Sequence, residues 1–189
     1  MADTVSIQTY ISDMIAVEHE VIHPIEKQLE LDDVKLLPDV ETLLENIHRV
    51  LHRHIDTLEQ HLESVGGHPA SGLKAAVGDV LGNLGTTVQN IRSTKVSKSL
   101  RDDYTALSLT AVAYEMLYTS SLATRSESTA KIALEHLNDI TGFITKLTGL
   151  LADVVTKELL DIDPTLDSSY VVEAKQQIRK AWESKPSPV

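Results

Sequence analysis

Three observations predict an all-α fold. Apolar residues recur at helical spacing in nearly every long segment. No segment alternates apolar and polar residues as a half-buried strand does. Breaks such as Gly66-Gly67-His68-Pro69 and Asp161-Ile162-Asp163-Pro164 cut the periodic runs into helix-sized pieces.

Taken in order, a first helix is expected from about Thr4 to Leu31, carrying Ile7, Ile11, Met14, Ile15, Ile22, Ile25 and Leu29. Pro24 lies inside it and lacks a backbone donor, so a kink is expected near Val21 to His23. The stretch from Asp32 to Pro38 breaks the period and reads as a connection. A second helix is expected from Asp39 as its N-cap, with the stripe Leu44, Ile47, Leu51, Ile55, Leu58, Leu62 and Val65, and Gly66-Gly67 ends it. Ser71 opens a third helical piece that runs through Leu73, Val77, Val80, Leu81, Leu84, Val88 and Ile91. Gly78, Gly82 and Gly85 each weaken that piece by about 1 kcal/mol relative to Ala, or let another helix approach closely. The fourth helix covers Val96 to Ala123 with Leu100, Tyr104, Leu107, Ala111, Tyr114, Tyr118 and Leu122 inward. The fifth runs from about Ser128 to Leu160 through Ile132, His136, Ile140, Phe143, Leu147, Leu150 and Val154. A short amphipathic helix from about Ser168 to Trp182 follows, and the tail from Lys185 to Val189 is expected to be loose. Four long helices plus a helical connection describe a bundle with a crossover, in which the second and fourth helices run parallel. The bundle is expected to occupy residues 1–160 and a C-terminal extension residues 161–189.

Composition narrows the function. The 189 residues hold 17 Lys and Arg against 28 Asp and Glu, a net charge of −11, which argues against a nucleic-acid backbone as partner. Hydrophobic residues at 42% and charged residues at 24% are ordinary for a globular chain, so wholesale disorder is excluded. There is no Cys, which removes disulfides, thiolate metal sites, iron–sulfur clusters and a thiol nucleophile. With one Phe and one Trp, aromatic stacking sites are not expected. No apolar run approaches the roughly 20 residues that span a bilayer, and the opening residues carry acids where a secretory leader would be basic. No membrane partner and a cytoplasmic location are therefore expected.

Polar residues centred on an apolar stripe are informative, because burying a carboxylate or imidazole is costly unless it is paired. Glu18 falls near the middle of the first helix's stripe, whereas Glu20 points the opposite way. On the second helix His54 lies on the stripe with Ile47 and Leu58, His61 and His48 sit at its two edges, and His52 faces solvent. Glu45-x-x-His48 has the spacing of carboxylate-bridged metal sites in bundles, but Glu45 projects away from the stripe and reads as surface charge. Glu115 borders the stripe of the fourth helix between Ala111 and Tyr118. On the fifth, His136 is on the stripe, Asp139 on its margin and Glu135 further round. Glu18, His54, Glu115, His136 and Asp139 thus come from four helices that one core can gather. Carboxylates and imidazoles without sulfur suit iron or manganese, and zinc less specifically. Tyr104, Tyr114 or Tyr118 can orient such ligands. The competing interpretation is a set of core acids and histidines satisfied by hydrogen bonds alone.

Leu58-Glu59-Gln60 through Gly66-Gly67-His68-Pro69, Ser71-Gly72-Leu73, Arg101-Asp102-Asp103, Ala113-Tyr114-Glu115-Met116 and Ala133 through Asp139 follow one another in a familiar order. Over about residues 8 to 155 the chain resembles the ferritin-like stress proteins of the YciE/YciF type. The resemblance implies a ferritin-like four-helix bundle with a helical crossover between its second and third helices. It also implies metal-facing carboxylates at Glu18 and Glu115, with Asp139 near the acidic pair of the last helix. Ala113 stands where that family has a histidine, His54 where it has a glutamine, and Asp139 is the one acid of the pair. A rearranged centre would use His54 and His136.

The leading expectation is therefore a stress-associated protein that binds one or two iron or manganese ions and reacts with O₂ or peroxide. The alternative is a metal-free, degenerate bundle acting as an oligomeric scaffold or interaction protein. A hemerythrin-like oxygen binder, prompted by Glu18-His19-Glu20, would need His-x-x-x-Glu on core faces, and His19 lies far round from the stripe. Nucleophile elbows, phosphate loops and dinucleotide fingerprints are absent from the sequence. Leu159, Leu160, Tyr170, Val171, Val172 and Trp182 add apolar surface beyond the main core. Folding back of the C-terminal segment, or a homodimer or higher homo-oligomer, would cover it.

Overall fold

The computed structural model describes residues 2–68 and 95–183. Among them there is no strand, and the helices are α1 (Ala2–Leu29), α2 (Asp32–Lys35), α3 (Pro38–Ser64), α4 (Val96–Ala123), α5 (Glu127–Ile162) and α6 (Tyr170–Glu183). The fold is all-α.

Each long helix buries one seam whose steps alternate between three and four residues. On α1 it is Ile7, Ile11, Met14, Glu18, Val21, Ile25 and Gln28; on α3 it is Val40, Leu44, Ile47, Leu51, His54, Leu58 and His61. On α4 it is Val96, Leu100, Asp103, Leu107, Thr110, Tyr114, Leu117 and Ser121; on α5 it begins Thr129, Ala133, His136, Ile140, Phe143 and Leu147. A step averaging 3.5 residues keeps one stripe facing the neighbours along helices that wind gently around each other. The seam is apolar except for a few polar side chains; Thr110 and Ser121 bond carbonyls of their own helix, and the others meet each other across the core.

These meetings set the helix directions. Gln8 donates to the Val65 carbonyl at 2.7 Å, and Glu26 approaches His48, so α1 and α3 run antiparallel. Gln28 donates to Asp103 at 2.7 Å and Tyr114 to Glu18, so α1 and α4 are antiparallel too. His61 meets Thr129 and His54 meets Asp139, which makes α3 and α5 antiparallel. It follows that α3 and α4 run the same way, as the periodicity predicts. The end of α3 and the start of α4 lie at opposite ends of the assembly. The twenty residues of α1 between Gln8 and Gln28 put them roughly 30 Å apart.

Helix ends differ from expectation in instructive ways. The expected connection before α3 contains one helical turn, α2, which seats Val34 in the core. Pro38, not Asp39, begins α3: its missing N–H costs nothing in the first turn, and Leu37 is the N-cap, so Asp39 sits inside the helix. At the other end Gly66 takes φ of +82°, its N–H bonds the Glu63 carbonyl at 3.0 Å and the Gly67 N–H bonds the Leu62 carbonyl at 2.9 Å. That paired arrangement closes the helix, and a Cβ on Gly67 would lie 2.3 Å from Leu62 Cδ1. The N-terminus of α4 is capped from another helix: Glu158 on α5 accepts from the Ser97 N–H at 2.8 Å and from its hydroxyl at 2.7 Å. α1 stays helical through Pro24. The helical piece expected over Ser71 to Ile91, with its glycines, lies outside the described residues, as does the tail from Lys185.

α6 packs back along α5, where Lys175 pairs with Asp153. The Trp182 ring meets Tyr104 of α4 edge-on with centroids 6.3 Å apart. None of its side chains is buried.

Asp103 is buried, and burial raises its carboxyl pKa from 3.8 to about 7, the Gln28 bond opposing the shift and Asp102 adding to it. The folded chain thus holds this proton in a range where the unfolded chain releases it, so Asp103 lowers stability as pH rises from about 4 through 7. Asp103→Asn should be more stable than wild type by roughly 2 kcal/mol at pH 8, with the gap closing towards pH 4 in urea denaturation. Glu158→Ala should cost about 1 kcal/mol at pH 7 in the same assay, because it removes the acceptor for the first turn of α4.

Candidate functional site

Halfway along the seam the four long helices each contribute one polar side chain: Glu18 from α1, His54 from α3, Tyr114 from α4 and His136 from α5. All four are buried, the first three completely. They close into a ring. Tyr114 donates its hydroxyl proton to Glu18 Oε1 at 2.6 Å, and His54 Nδ1 lies 2.9 Å from the same oxygen. His136 Nδ1 lies 2.9 Å from the Tyr114 oxygen, and because the phenol has spent its one proton on Glu18, the imidazole is the donor there. The His54 and His136 rings complete the circuit by stacking, 3.7 Å between centroids and 9° from parallel.

From His54 the ring leads towards the surface. His54 Nε2 lies 3.1 Å from Asp139 Oδ2, which also accepts from Arg53 at 2.8 Å. Both nitrogens of His54 thus face carboxylate oxygens, an arrangement satisfied when both carry hydrogen. Asp139 is about half exposed, with 42% of its side chain reaching solvent. A continuous hydrogen-bonded path therefore leads from His136 through Tyr114, Glu18 and His54 to Asp139.

Burial dominates the electrostatics. It raises the Glu18 carboxyl above its usual range, opposed by the His54 and Tyr114 bonds. It drives the Tyr114 phenol well above 10.0, with the charge on Glu18 acting in the same direction, so Tyr114 stays a neutral donor. It lowers His136 to about 3, with His54 and Arg53 adding to the effect, so His136 is neutral at physiological pH. With its proton on Nδ1, His136 keeps a lone pair at Nε2. The second oxygen of Glu18, Oε2, is buried and has no hydrogen-bond partner among the described residues. Such an oxygen, which loses its hydration without replacement, is a place where a cation or proton is favoured.

Of the residues singled out by sequence, the structure brings Glu18, His54 and His136 together, their donor atoms within 4.8 Å of one another, and sets Asp139 at the rim. Glu115 does not join them. It is exposed on the outer side of α4, and Tyr114 occupies the core position instead. The seam of α4 runs through Thr110, Leu117 and Ser121, which shifts its centre away from Glu115 and also leaves Leu122 outside, 55% exposed. Tyr104 and Tyr118 are partly buried and pack at the core margin. Glu45 is exposed, as its place on the helix predicts. Sequence reasoning did not single out Arg53, whose signal was its position beside a stripe histidine.

No protein-family model matches the chain, and no curated protein matches it in sequence.

Removing the phenol hydroxyl opens the ring while keeping its shape. Tyr114→Phe should destabilise the protein by about 2 kcal/mol in chemical denaturation, with unchanged helix content, because Glu18 loses a donor and His136 an acceptor.

Proposed function

We propose that the chain is a ferritin-like four-helix bundle that binds one iron or manganese ion beside Glu18, His54 and His136 and serves in protection against oxidants. The observation that carries this reading is the buried Glu18 carboxylate, whose Oε2 has no partner among the described residues, grouped with two imidazoles held by two other helices. The helix directions support the bundle: two antiparallel pairs, with α3 and α4 running the same way, need a connection along the length of the molecule.

The residues fit one ion by donor chemistry, since a carboxylate and two imidazoles without sulfur suit iron or manganese. They do not fit two. Glu115 is outside, and Asp139 is held at the rim by Arg53 and His54. Asp139 has instead the place of a carboxylate that orients a ligating imidazole through its second nitrogen. When bound, iron would supply one-electron chemistry with O₂ or peroxide. The chain's own contributions are the Glu18 carboxyl group as a ligand, a neutral donor in Tyr114, water exclusion by the surrounding seam and a hydrogen-bonded path to solvent at Asp139. Exposed Leu109, Val112 and Met116 on the outer side of α4 favour a homo-oligomer.

A second reading has its own observation. Glu18 Oε1, His54, Tyr114 and His136 already satisfy one another, as a metal-free scaffold requires.

One experiment separates them. Protein purified aerobically with supplied Fe²⁺ or Mn²⁺ should retain about one ion per chain by mass spectrometry, and Glu18→Gln should lose it, since the donor set is incomplete without that carboxylate. A wild-type chain without bound metal, melting identically with and without Fe²⁺ or Mn²⁺, would favour the scaffold.

A further inference from the structure

A second group of metal-ligating side chains lies on the outer surface of the α1–α3 pair, separate from the central ring. His48 and His52 are one turn apart on α3, and their Nε2 atoms face each other at 3.1 Å. Across from them, Glu26 of α1 places Oε1 3.2 Å from His48 Nε2 and 3.8 Å from His52 Nε2. His23, one turn before Glu26, brings Nδ1 to 3.9 Å from the other carboxylate oxygen. We propose that Glu26, His48 and His52 form a surface site for a divalent ion of the zinc class, with His23 steadying the carboxylate.

The distances carry the argument. A point in the plane of the three donor atoms and equidistant from them lies about 2.0 Å from each, which is the length of a zinc–nitrogen or zinc–oxygen bond. Three protein ligands around such a point leave a further position for water, the arrangement of an open zinc site. Hydrogen bonding alone serves the cluster poorly: His48 Nε2 has both Glu26 and His52 beside it and carries one hydrogen at most. A cation at the shared point satisfies all three atoms at once. The rings stand at 76° to each other with centroids 4.5 Å apart, so they converge without stacking. All three residues reach solvent, His52 with 49% of its side chain exposed, so an ion enters without unfolding.

Such an ion ties α3 to α1 at Glu26, two residues after Pro24, whose nitrogen gives α1 no backbone donor. Its role is a clasp between helices, independent of the central ring.

The test uses the full chain after chelator treatment, titrated with Zn²⁺ by calorimetry and followed by the imidazole nitrogen signals. Wild type should take up Zn²⁺ with shifts at His48 and His52. His48→Ala and His52→Ala should each weaken that uptake at least tenfold while melting like wild type in the absence of metal. Glu18→Gln should retain it. A wild-type chain that binds no Zn²⁺ overturns the proposal, as does either histidine variant binding like wild type. Uptake that vanishes in Glu18→Gln but survives in His52→Ala assigns the ion to the core and overturns it equally.

Discussion

The carboxylate of Glu18 is the constraint around which the core is arranged. A carboxylate deprived of water in an apolar interior costs several kcal/mol unless donors replace its hydration. Here Tyr114 and His54 both donate to one oxygen, and they come from the helices on either side of α1. His136 then finds its acceptor in the tyrosine and its stacking partner in the other histidine. Moving any of the four helices by one seam position would strand a buried polar group. The ring therefore fixes the register of the assembly as well as furnishing its chemistry.

The same logic recurs towards both ends of the seam. Gln28 with Asp103 occupies one level and His61 with Thr129 another, and apolar residues fill the levels between. Each pair joins two helices and not all four, so these levels help set alignment without gathering a set of ligands. Gln28 Oε1 and Asp103 Oδ2 are also buried without a partner among the described residues, but all four long helices bring polar side chains together at the Glu18 level.

Much of this was legible in the sequence. Helix positions followed from apolar spacing, and Glu18, His54 and His136 were placed in the core by asking which polar residues lie where a hydrophobe is expected. The reading went astray on α4. Its seam includes Thr110, Ser121 and Asp103, residues that a hydrophobic stripe does not count, and carrying the stripe on through Tyr118 and Leu122 widened it enough to bring Glu115 to its border beside the correctly placed Tyr114. The cap supplied to α4 by Glu158 was invisible because it comes from a residue sixty-one positions away. The surface group was half visible: His48 and His52 have the spacing of neighbours on one face, but only the packing of α1 against α3 brings Glu26 to them.

The parallel course of α3 and α4 divides the molecule into two helical hairpins, α1 with α3 and α4 with α5, each built from partners close in the chain. Their union depends on contacts between residues as far apart as Glu18 and Tyr114. Loop closure over such a separation costs only modest entropy while the chain is intact. Severing the backbone within residues 69–94 would turn that step into a bimolecular association. The midpoint of unfolding would then rise and fall with protein concentration.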